Sequence, residues 1–187
     1  MDKCQQFSMV TERYLSCFQD ILQNMICGMT TAKLTNSISH NFIVQMIPHH
    51  KAAIEMSDNL LLYTTFIPLQ EIACDIIAEQ TKSIQNMEKI LCSCSRMTDS
   101  NQNLDCYQRK TENILTTMFT DMKNACPDND INISFMREMI PHHKGAIAMS
   151  KNALSYNICP ALKPILSSII TSQEKGVCEM EYLLKNY

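Results

Sequence analysis

One block of sequence occurs twice in this chain. Phe42-Ile43-Val44-Gln45-Met46-Ile47-Pro48-His49-His50-Lys51-Ala52-Ala53-Ile54-Glu55-Met56-Ser57 returns as Phe135-Met136-Arg137-Glu138-Met139-Ile140-Pro141-His142-His143-Lys144-Gly145-Ala146-Ile147-Ala148-Met149-Ser150, 93 residues later. Held without a gap, the same offset pairs Tyr14 with Tyr107, Met25 with Met118, Met29 with Met122, Gln80 with Gln173 and Met87 with Met180. Roughly a third of all positions match identically, so the duplication covers the full length. The 187 residues therefore read as one pseudo-twofold domain with internal repeats 1–94 and 95–187.

Each repeat reads as three helices. Tyr14, Phe18, Ile21, Leu22, Met25 and Met29 recur at spacings of three and four, the stripe of an amphipathic helix. A polar break at Thr30 to Asn36 follows, with Asn36 or Ser37 suited to cap a second helix from about Ile38 to Leu62. Pro68 can open a third, whose apolar side carries Leu69, Ile72, Ile76, Ile84, Met87 and Leu91. The second repeat gives Tyr107 to Met122, Ile131 to Tyr156 and Leu162 to Leu184. Asn129 or Asp130 can cap the middle helix, Pro160 or Pro164 can open the last, and Ser95 to Asn103 links the halves. With 3 Gly and no Trp there is little material for hairpins. Six amphipathic helices with short loops bury their stripes most simply as an all-α, up-down helical bundle.

The repeated block carries the chemistry. At about 100° per residue, Phe42, Met46, His49, His50, Ala53, Met56 and Ser57 occupy roughly one third of a helix circumference. Met139, His142, His143 and Met149 repeat the arrangement. Thioethers and imidazoles without a carboxylate are a soft ligand set, suited to Cu(I) or to another soft or borderline ion. Mg, Ca and Mn would require oxygens that are missing. Met25, Met29, Met118 and Met122 are further candidate ligands, although taken alone they read as adaptable core fillers. Met87 and Met180 are candidate third thioether donors. Pro48 and Pro141 interrupt the helical phase, and each either begins the second helix of its repeat or kinks it and re-aims the imidazoles. Gln80 and Gln173 break apolar stripes and need partners, which an imidazole or another helix could supply.

The 10 Cys do not follow the repeat, since none falls on another at the offset. With no export signal behind Met1, they suggest reduced thiols and a cytoplasmic protein. Cys92-Ser93-Cys94 is a short pair of soft donors. A formal charge of −3 argues against a nucleic-acid partner, and no apolar run is long enough to span a bilayer. Self-association is left open.

The block Phe-x3-Met-Ile-Pro-His-His-x2-Ala-Ile-x-Met-Ser, the Gln-x6-Met of the third helix and the earlier Met-x3-Met together resemble the family called domain of unknown function 305. That resemblance implies a ferritin-like helical bundle, with members associated with copper binding and copper tolerance, often exported. Carried onto matching positions, it points to Met46, His49, His50 and Met56, and to Met139, His142, His143 and Met149.

The expected function is a non-enzymatic protein that holds Cu(I) in Met/His sites, for copper sequestration or tolerance. The alternatives are a structural or interaction bundle whose His pairs only pack, a di-iron carboxylate enzyme and a haem protein. The di-iron reading lacks paired Glu-x-x-His elements, and the haem reading lacks Cys-x-x-Cys-His.

Overall fold

Four of six helices open on a side-chain oxygen that accepts a backbone N–H of the first turn, satisfying a donor that the helix itself leaves bare. The computed structural model describes residues 6–187, in the order α1 (Met9–Thr30), α2 (Ile38–Leu61), α3 (Ile67–Cys94), α4 (Asn101–Lys123), α5 (Ile131–Leu154) and α6 (Lys163–Asn186). The caps are Ser8, Ser37, Ser100 and Asp130. In α3 and α6, Pro68 and Pro164 occupy the first turn, where a missing N–H costs nothing. Because Ser8 and Ser100 can start helices without an apolar residue, α1 and α4 begin before their stripes do. The connection between halves shortens to residues 95–100.

α2 packs against α1 and α3, α5 packs against α4 and α6, and the halves meet through α2–α5 and α3–α6. α2 and α5 are thus the central helices. Their buried sets wrap widely around the axis and include small residues, Ala52, Ala53, Ser57, Gly145, Ala146 and Ser150, that let neighbours approach. Equivalent contacts recur in both halves. Asn59 donates Nδ2–H to the Tyr14 carbonyl at 3.2 Å, and Asn152 donates to that of Tyr107 at 3.2 Å. Tyr14 meets Tyr63 edge-on, as Tyr107 meets Tyr156. No helix among the described residues is long and apolar enough to cross a membrane.

Pro48 and Pro141 lie inside continuous helices, so neither helix begins at its proline. The cysteines depart from expectation. Cys94 and Cys159 form a disulfide, with Cα atoms 5.3 Å apart across a sequence separation of 65. The start of α2 brings them together: Ser37 Oγ donates to the Cys94 carbonyl at 3.2 Å, and Cys159 N–H donates to Ser39 Oγ at 2.9 Å. Cys94 is therefore not a thiolate donor beside Cys92, and the expected Cys92/Cys94 pair does not exist. Cys17, Cys27, Cys74, Cys92, Cys106, Cys126 and Cys178 are free and exposed; Cys4 lies outside the described residues.

Candidate functional site

Where α2 crosses α5, the two halves exchange hydrogen bonds through their histidines. The rings of His49 and His142 lie with centroids 3.6 Å apart and planes inclined by 30°. His49 Nε2 sits 3.2 Å from the His142 carbonyl oxygen, and His142 Nε2 sits 3.2 Å from that of His49. A carbonyl can only accept, so each Nε2 carries the proton and each Nδ1 is left with its lone pair. His50 and His143 flank this pair, with ring centroids 6.0 and 5.9 Å from those of their neighbours. His50 Nε2 is 3.0 Å from Ser83 Oγ on α3. The fifth histidine, His40, stands apart and bonds Ser95 and the Lys33 carbonyl.

All four imidazoles of the pairs are buried, and all four Nδ1 atoms lack a hydrogen-bond partner. Burial disfavours the charged ring, pushing His50 down from 6.5 to about 3 and His143 to about 4. His49 and His142 are pushed well below 6.5 by the same desolvation, reinforced by the neighbouring imidazoles. The site therefore presents four neutral rings near pH 7. An unpaired buried acceptor costs about 1–3 kcal/mol, so four together mark a place that something else should satisfy.

Every methionine singled out in the sequence, Met25, Met29, Met46, Met56, Met87, Met118, Met122, Met139, Met149 and Met180, is buried. Met46 and Met139 sit one turn before the His pairs on the same helices. Met180 stands beside His143: a Cβ placed on Gly176 would lie 3.1 Å from the His143 Nε2 and 4.0 Å from the Met180 methyl. Met118 is seated differently. Its side chain fills the space that a Cβ on Gly145 would take, and it lines an α4–α5 cleft with Pro141 and Gly145 that no imidazole borders. Among the described residues no three His, Cys, Asp or Glu group closely enough to hold an ion. An ion at the His pairs would thus have to complete its coordination with sulfur, which the surrounding core supplies.

A family model described as a domain of unknown function (DUF305) matches residues 39–184. The chain belongs to the DUF305 family. Among solved structures, this DUF305 chain is similar to a DUF305 fragment from Deinococcus radiodurans, at 21% identity and a TM-score of 0.58, covering 83% of this chain and 99% of that one. It is similar also to CopM in a silver-bound form obtained by soaking, at 24% identity and a TM-score of 0.58, covering 82% and 98% respectively. Both likenesses are to the helical bundle. No functionally curated protein matches the chain.

Three features of this DUF305 chain escaped sequence reasoning. The tautomers of His49 and His142 are fixed by backbone carbonyls across the pseudo-twofold, while His50 meets the Ser83 hydroxyl, which can donate or accept. The expected glutamine contacts are not made: Gln80 Nε2 and Oε1 and Gln173 Oε1 are buried without partners. Both glutamines lie on the α3–α6 seam and line clefts that His143 and His50 also border, yet neither bonds an imidazole. Glu138 is the third. Its carboxyl is buried, accepts the Tyr14 hydroxyl at 2.9 Å, and is pushed by burial from 4.5 up to about 8. Its counterpart Gln45 instead donates to the Met29 carbonyl at 3.3 Å, and the hydroxyl of Tyr107, counterpart of Tyr14, has no partner.

Proposed function

We propose that this DUF305 chain is a non-enzymatic protein that binds a soft monovalent cation, Cu(I) or its close analogue Ag(I), through imidazole Nδ1 and methionine sulfur between its central helices. The observation that carries the reading is the set of four buried Nδ1 atoms without partners, those of His49 and His142 held unprotonated, in a core lined by thioethers. A core that only packed would gain by replacing those rings with apolar side chains. A soft cation satisfies the lone pairs and the sulfurs at once, and it needs no anionic oxygen. The silver-bound form of CopM, which shares the bundle, supports the same ion class.

This chain's residues do three things toward such an ion. The reciprocal carbonyl bonds orient the His49 and His142 rings before the ion arrives, so little ordering is left to complete on binding. Burial keeps all four rings neutral, so protons do not compete near pH 7. The apolar surround excludes water that would otherwise hydrate the ion. Sequestration for copper tolerance is the role that fits a buried, preformed site. A disulfide persists in oxidising surroundings. The same reading therefore puts the working protein there rather than in the cytoplasm suggested by its thiols.

Titration with Cu(I) against a competing chelator tests the reading. The cysteines outside the disulfide would bind Cu(I) themselves, so they are first alkylated with the disulfide intact. Alkylated wild type is expected to bind tightly, and the variant with His49, His50, His142 and His143 all changed to Ala at least about tenfold more weakly. Equal affinities would remove the imidazoles from the site.

A further inference from the structure

Among the positions at which the two halves differ along the α3–α6 seam, one faces an imidazole in each half. His50 has Ser83 Oγ 3.0 Å from its Nε2, whereas the residue equivalent to Ser83 is Gly176, and no side chain covers the corresponding edge of His143. A cleft of about 50 Å³ opens there, bordered by His143, Gly176, Gln80 and Gln173. An adjoining cleft of about 240 Å³ runs along the same two glutamines to His50 and Ser83. Gln80 and Gln173 are 4% and 2% exposed, yet Gln80 Nε2 and Oε1 and Gln173 Oε1 find no partner in the protein. Around the two clefts stand three carboxylates, Asp75, Glu79 and Glu179, against two ammoniums, Lys82 and Lys175, the latter already paired with Asp75 at 3.1 Å and Glu179 at 3.6 Å.

We propose that the α3–α6 seam is the way in for the cation, that the amide oxygens of Gln80 and Gln173 form a transit site there, and that the second half-site, at His143, fills first. The proposal rests on the metal reading above. The excess of carboxylates at the mouth draws a cation from solvent. Amide oxygens replace part of its water shell as it enters. Imidazole nitrogen and thioether sulfur then displace the oxygens, because a soft ion prefers them. Water leaves at each exchange and the oxidation state of the ion does not change. Unpaired buried amides are costly to a fold, and a passing cation gives these a task.

The test follows Ag(I) loading by stopped flow in thiol-alkylated protein, with equilibrium affinity measured separately by competition. Gly176→Ser is expected to slow loading about tenfold, by more than any change it makes in equilibrium affinity, and Ser83→Gly to accelerate loading even though losing the bond to His50 weakens binding. Gln80→Leu with Gln173→Leu is expected to slow loading without lowering the melting temperature, since it removes buried amides that have no partner. Should Gly176→Ser fail to fold, Ser83→Gly and the glutamine pair decide. Uptake by wild type with unchanged rates in every folded variant overturns the seam and leaves the metal reading standing. No uptake by wild type overturns both.

Discussion

His49 and His142 are locked together in both directions, each ring nitrogen Nε2 donating to the other residue's backbone oxygen at 3.2 Å. The bonds tie α2 to α5 at the pseudo-twofold and, by holding both protons on Nε2, free both Nδ1 atoms. Such a closed pair should behave as a unit. Removing either ring breaks a bond between α2 and α5 and leaves a cavity at their crossing, so His49→Ala and His142→Ala should each cost about 1–3 kcal/mol of stability. The double variant should cost less than their sum, because the contact between the two rings is lost with the first change and cannot be lost again. Urea unfolding of the four proteins measures the coupling. Additive losses would mean the two bonds act independently.

Acid should unfold the metal-free protein through these rings. Their folded pKa values lie below 6.5, at about 3 for His50 and about 4 for His143, while the unfolded chain takes up protons near 6.5. The stability that neutral burial allows is thus fully present above about 6.5 and falls as pH drops toward 4. Urea midpoints at pH 7 and pH 5 should differ markedly in wild type. The difference should shrink in a variant with His50 and His143 changed to Leu.

Glu138 should produce the opposite slope. Its folded pKa of about 8 lies above 4.5, so the folded state retains a proton that the unfolded state has lost. Its contribution to stability is highest below about 4.5, declines as pH rises, and is fully lost above about 8. Glu138→Gln keeps an acceptor for the Tyr14 hydroxyl and removes the titration. It should raise the melting temperature at pH 8.5 and change it little at pH 5, read by calorimetry.

The disulfide should matter more than its place at a helix end suggests. Closing a 65-residue separation restricts the unfolded chain by about 4 kcal/mol in the loop-entropy account. Cys94→Ser with Cys159→Ser should lose stability of that order. Mild reduction of wild type should match it, since the other cysteines among the described residues are exposed and unpaired.

The duplication made the six helices and the four imidazoles legible in the sequence, because periodicity and a fixed offset carry that information directly, whereas the central place of α2 and α5 came from the packing. Ser37, Asp130 and Pro164 were each named as one of two choices, and hydrogen-bond geometry or the first turn selected among them. What broke the symmetry was not legible. Cys94 pairs with Cys159 through contacts at the start of α2 that no spacing announces. Ser83 and Gly176 differ by one side chain whose meaning depends on facing an imidazole from another helix. Gln80 and Gln173 were visible as polar breaks in apolar stripes, but that their amides stay unbonded on the seam beside the rings is a tertiary fact. Glu138 was visible four residues before His142, and only the fold reveals Tyr14 above it.

The bond between Cys94 and Cys159 also spans the junction of the halves, since residues 95–100 lie between its first cysteine and α4. A protease that cuts after the exposed Arg96 would therefore leave two pieces still covalently joined. They would migrate as one band on a gel without reductant and as two once thiol is added.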